Sequence, residues 1–99
     1  YKLALTEEEP TVQPYNQEAW AELPVSTIID INPALELISG LHARWAFLLK
    51  SLDEKQWERC FIHPESGKKI SLKLNTAIYA WHCEHHLAHI TRLKERKNW

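Results

Sequence analysis

Four histidines fall within eight residues near the end of this chain, in Trp81-His82-Cys83-Glu84-His85-His86-Leu87-Ala88-His89-Ile90. Neutral imidazole is among the best nitrogen donors for zinc, nickel and iron. At about 100° per residue, a helix through this segment places all four rings within about 100° of arc. The pairs His82/His86 and His85/His89 are each four residues apart, so their side chains stack about 6 Å apart along the axis. A single divalent ion can bridge that distance. Ser71, Leu74, Asn75, Ile78 and Leu93 share the arc, while Lys73, Glu84, Thr91 and Glu95 lie opposite. The rings are therefore expected to face the core, where an imidazole needs a hydrogen bond or a metal to offset its burial. The competing reading is structural: a histidine-rich helix can also serve as a packing or dimer surface.

The other chemistry-bearing residues are weaker candidates. The His-Glu-x-x-His pattern of zinc proteases puts its Glu directly after the first His. Here Cys83 follows His82, and Glu84 projects about 160° away from it, which makes Glu84 a poor general base. No general base is evident. Cys83 is expected to be a small buried hydrophobe. A catalytic zinc usually takes three protein ligands, so a third must come from another element. His42, between Ile38 and Trp45, is one candidate, although a core hydrogen-bonding role suits it better. His63, before Pro64, reads as a loop residue. Arg44 could hold an anionic substrate group, but reads better as a solvated surface residue.

These residues must be positioned by helices. Asn32-Pro33 predicts a helix start, with Asn32 as the capping side chain and Pro33 in the first turn. Ala34, Leu35, Ile38, Leu41, Trp45, Leu48, Leu49 and Leu52 then recur at three- and four-residue steps, predicting an amphipathic helix over 33–51. Gly40 lies inside it, and a close neighbour would explain its presence there. Ser71 is expected to cap a final helix over 72–97, with Lys94, Arg96 and Lys97 at its cation-favouring end. Between the two, 53–60 predicts a short helix and 61–70 a turn or small hairpin around Ser66-Gly67. Earlier, 1–6 is helix-compatible, 7–15 reads as an extended loop broken by Pro10 and Pro14, and Asn16 caps a short helix over 17–23 ended by Pro24. The expected architecture is all-α, a single domain over 1–99 whose two long helices pack antiparallel as part of a bundle.

Composition removes several function classes. Twelve Lys and Arg face thirteen Asp and Glu, a net charge of −1, which leaves no cationic excess for a nucleic-acid grip. At 44% hydrophobic and 25% charged residues, wholesale disorder is not expected. No apolar run approaches the roughly 20 residues of a membrane span. Two cysteines, Cys60 and Cys83, make no disulfide framework and are expected to be free thiols in a reducing cytoplasm. The chain opens at Tyr1 without a Met, so an N-terminal part is expected to precede it.

The segments Gly40-Leu41-His42-Ala43-Arg44-Trp45, Phe61-Ile62-His63-Pro64 and Tyr79-Ala80-Trp81-His82 through His86-Leu87-Ala88-His89-Ile90 resemble the YfiT-type metal-dependent hydrolases of the DinB/YfiT superfamily, which includes bacillithiol S-transferases. Lys2-Leu3-Ala4-Leu5-Thr6-Glu7-Glu8 and Gln13-Pro14-Tyr15-Asn16-Gln17-Glu18-Ala19-Trp20 fit as well, so the resemblance runs along nearly the whole chain. It implies a four-helix bundle of which this chain carries the C-terminal two long helices with short helices and loops. It also implies one divalent ion per subunit, zinc or nickel, on three histidines. The family pattern selects His86, followed by Leu87-Ala88-His89-Ile90, and with it His82; His89 falls where relatives often have Gln. The third ligand is expected before Tyr1, on a helix this chain lacks. Half a bundle leaves apolar faces open, so a homodimer is expected, and the five Trp fit extensive packing. The implied activity is metal-dependent hydrolysis of a small molecule. A bacillithiol (low-molecular-weight thiol) S-transferase on the same centre is the alternative, and a non-enzymatic helical oligomer with structural histidines is the second.

Overall fold

The computed structural model describes residues 1–99, which form six helices and one small β-hairpin. The elements are α1 (Lys2–Thr6), α2 (Gln17–Ala21), α3 (Pro24–Thr27), α4 (Asn32–Lys50), α5 (Glu54–Trp57), β1 (Cys60–Ile62), β2 (Lys69–Ser71) and α6 (Leu72–Lys97). They divide into two compact units, one made of Tyr1–Val12 with Lys55–Trp99 and the other of Gln13–Glu54. No helix is long and apolar enough to cross a membrane.

The first unit is organised around the start of α6. The strands β1 and β2 pair antiparallel, with Cys60 opposite Ser71 and Ile62 opposite Lys69. Gly67, at φ 64°, takes a left-handed turn between them that a side chain would disfavour. His63 is fastened into this turn: its amide donates to the Lys68 carbonyl at 2.9 Å, and its carbonyl accepts from the Gly67 amide at 2.9 Å. It is a turn residue, as expected. The segment after α1 adds to the free edge of β1, where Thr11 bridges Ile62 in parallel. The Ile62 amide donates to the Pro10 carbonyl and the Val12 amide to the Ile62 carbonyl. The loop expected over 7–15 is therefore pinned at its centre, although its residues alone gave no strand signal.

Burial in this unit centres on Ala4 and Leu72, both essentially inaccessible, and Pro10 is buried as well. Full burial of a leucine is worth about 1.5–3 kcal/mol. The ends of α1 and α6 are joined by polar contacts as well: the Tyr1 hydroxyl and Thr76 Oγ1 are 2.6 Å apart, and Asn75 Nδ2 donates to Tyr1 at 3.2 Å. Arg59 supplies a further tie. Its Nε donates to the Ala4 carbonyl and its Nη2 to the Glu7 carbonyl. These carbonyls lie at the C-terminal end of α1, where unpaired acceptors and the helix dipole favour a cation. Nothing in the local sequence around Arg59 announces this role.

The long helix α6 starts and stops on local signals. Ser71 Oγ accepts from the Leu74 amide at 3.1 Å. At the other end Asn98 adopts the left-handed conformation, and the Trp99 amide reaches back to the Lys94 carbonyl at 3.1 Å, a Schellman-type ending.

In the second unit Asn16 caps α2 by accepting from the Ala19 amide at 3.0 Å. The helix ends at Ala21 rather than 23, and Pro24 opens a separate turn, α3, where Pro is tolerated for want of an amide partner. Helix α4 begins at Asn32, one residue before the expected start. Its capping acceptor is not Asn32. Asp30 Oδ1 accepts from the Asn32 amide at 3.0 Å and from Asn32 Nδ2 at 3.1 Å. These bonds hold the Asp30 carboxyl below its ordinary value. Asn32 is already helical and turns its side chain back to Asp30. Gly40 has no neighbour near the place of a Cβ, so the expected close approach is absent.

Candidate metal centre

The histidine segment lies wholly within α6, so the helical premise of its pairing holds. His82 and His86, one turn apart, direct Nε2 toward Nε2 at 2.8 Å, with ring centroids 4.4 Å apart. Such a contact needs a proton on one Nε2 and a bare lone pair on the other. His85 and His89 stand at the same spacing, with centroids 4.3 Å apart. Trp81 stacks on His85 at 5.0 Å and 22° and lies 6.3 Å from His82 at 17°. The indole thus forms a flat edge to both pairs.

The surroundings of His85 disfavour its charged form. Desolvation by the surrounding rings, followed by repulsion from His89, His86, His82 and Arg92, holds His85 below the ordinary imidazole value. All four rings are nonetheless exposed, which corrects the expectation that they face a core. Helical periodicity fixes which residues share a side of α6, but not what covers that side. Leu74 and Ile78 on the same arc are exposed too. Cys83 is exposed rather than buried, and it and Cys60 are free thiols.

Nowhere in the chain do three His, Cys, Asp or Glu side chains converge on one point. His42 lies exposed on α4, tilted against Trp45 at 6.0 Å. Arg44 is exposed, in keeping with a solvated residue. A shallow depression lined by Thr91, Lys94, Glu95, Asn98 and Trp99 lies at the C-terminal end of α6, away from His82 and His86. What this chain presents is a pair of Nε2 atoms facing each other across one helical turn. They can share a proton or turn their lone pairs on one cation.

Comparison with known proteins places this pair in context. A protein of Oceanobacillus iheyensis is 52% identical over 98 residues, covering 99% of this chain and 56% of its own length. The YfiT protein of Bacillus subtilis is 43% identical over 99 residues, covering the whole chain and 56% of its own length. Both are named, provisionally, metal-dependent hydrolases. The solved structure of Bacillus subtilis YfiT, described as having an unusual four-helix bundle topology, superposes with a TM-score of 0.89 at 44% identity, over 99% of this chain and 56% of that one. This chain thus spans just over half the length of these relatives and carries the corresponding part of the YfiT-like helical fold. Residues 1–90 also match the model of the DinB superfamily, and on that match together with the shared backbone the chain belongs to this superfamily.

Proposed function

We propose that this chain is part of a metal-dependent hydrolase in which His82 and His86 hold one divalent cation, zinc or nickel. The observation that carries this reading is the 2.8 Å approach of their Nε2 atoms. A tetrahedral ion bound at 2.0–2.1 Å keeps two ligand nitrogens about 3.3 Å apart. The rings need to open by only about half an ångström to accept it. The names of the relatives support a metal, and imidazole pairs suit borderline ions over calcium or magnesium.

A bound divalent cation supplies Lewis acidity: it polarises a carbonyl or phosphoryl oxygen and draws the acidity of a nearby water toward neutrality. His82 and His86 present their Nε2 lone pairs from adjacent turns of one rigid helix, which fixes the bite of the site. Holding the ion requires a bare Nε2 on both rings, and because metal-bound imidazole must be neutral, uptake weakens as pH falls. Trp81, flat against His85, restricts how that neighbouring ring can turn. A third ligand and a general base lie outside the residues assigned here. The proposed substrate is a small molecule. The protein is proposed to act as a homodimer in the cytoplasm, in keeping with its free thiols.

Elemental analysis of the purified protein, with hydrolysis of a chromogenic ester before and after chelation, tests the reading. One tightly held zinc or nickel per chain at this pair, lost in His82→Ala along with the chelator-sensitive turnover, is expected. Metal content untouched by His82→Ala and His86→Ala would refute the assignment. Turnover that requires an added low-molecular-weight thiol would redirect it to thiol transfer.

A further inference from the structure

We infer that His85 and His89 form a second, separate chelating pair on α6, able to take a borderline divalent cation such as zinc, nickel or copper. This goes beyond the proposed hydrolase centre and does not depend on it. Their ring centroids are 4.3 Å apart, against 4.4 Å for His82 and His86. Both pairs are four residues apart on one unbroken helix, so helical pitch brings both sets of rings together across one turn. The two pairs are offset by three residues, about 4.5 Å along the axis and about 60° around it. At the radius of the imidazole tips they are therefore two mononuclear positions.

Three features shape the second position. His85 and His89 are exposed, so a cation reaches them directly from water. Trp81 stacks on His85 at 5.0 Å and steadies that ring. Arg92, three residues beyond His89, lies on the same side of the helix and opposes a cation there. The second pair accordingly binds more weakly than a pair without such a neighbour, and Arg92→Gln tightens it.

Equilibrium dialysis of the full chain against Zn²⁺, read by elemental analysis, tests this. Two zinc ions per chain are expected for the unaltered protein and one for each of the double variants His82→Ala/His86→Ala and His85→Ala/His89→Ala. An undiminished count in the His85/His89 variant overturns the second pair. Loss confined to the His82/His86 variant leaves the hydrolase centre standing and sinks this inference; loss confined to the His85/His89 variant does the reverse. Glutamine versions replace alanine ones if helicity by circular dichroism falls. In the His82→Gln/His86→Gln background, Ni²⁺ is expected to quench a component of the tryptophan emission that Trp81→Phe removes. Absence of that quench also overturns the pair.

Discussion

At the scale of single residues, the most consequential side chain outside the histidine face is Arg59. It closes the end of α1 through two backbone carbonyls 55 and 52 residues away in sequence, and its Nη2 lies 3.7 Å from Glu8. Hydrogen bonds to a charged donor are worth about 1.5–3 kcal/mol each, but a side chain one-third exposed keeps only part of that. Arg59→Ala is expected to destabilise the first unit by about 1–2 kcal/mol, measurable by urea unfolding, and Arg59→Lys to recover little, since ammonium lacks the planar fork. Such a contact was not legible in the sequence, because no local pattern marks a partner fifty residues away. That His82 and His86 meet was legible for the opposite reason: helical pitch brings residues four apart together once Ser71 starts the helix, and it does the same for His85 and His89, so only the family resemblance chose between the pairs. A third ligand is a long-range matter, and spacing within one helix says nothing of it.

At the scale of elements, start and stop signals were read well where they are chemically unique and less well where they compete. Ser71 and the last turn of α6 fall where expected, but at α4 the expected cap Asn32 is already helical, Ile31 stands at the cap position, and Asp30 accepts from the Asn32 amide. Asn32, inside the helix, cannot bond forward to its own turn, so the Asp30 carboxylate two residues earlier takes its amide instead. Asp30→Ala is therefore expected to fray the first turn of α4 and lower the thermal midpoint, while Asn32→Ala does less. The sign of the pH effect follows from the depressed Asp30 carboxyl. The capping contribution is full above the ordinary Asp value of about 3.9 and fades as pH falls through the lower folded value; in Asp30→Asn that fading disappears. Gly40 is the second element-scale test. With open space where its Cβ would sit, Gly40→Ala is expected to stabilise α4 by about 0.5–1 kcal/mol. A loss of stability instead would mean that another surface lies against that position in solution.

At the scale of the whole molecule, the apolar stripe that identified α4 from sequence is largely uncovered. Leu35, Ile38 and Leu41 are 53%, 49% and 60% exposed. On the opposite side of the same helix Phe47 is 77% exposed. The periodicity correctly reported a helix with a face to bury, but hydropathy carries no information on which chain supplies the cover. Contiguous apolar surface of more than a few hundred Å² is uncommon on soluble monomers, and a stable pair buries roughly 800 Å² on each partner. The proposed homodimer would bring two copies of this stripe together through a self-complementary contact, as twofold interfaces require. Sedimentation equilibrium is then expected to give a species of twice the 11.7 kDa chain mass. Leu41→Glu, placing a charge at the most exposed of the three stripe positions, is expected to return it to monomer without loss of helicity, because the site faces water in the isolated chain. A concentration-independent monomer for the unaltered chain would exclude a second copy as the cover. A dimer indifferent to Leu41→Glu would move the contact away from α4, to the exposed apolar residues of α6 such as Leu74 and Ile78. These share their arc with His82 and His86, so in that case metal uptake and dimerisation would depend on each other, and zinc would shift the monomer–dimer balance. With the contact on α4 the two equilibria stay independent.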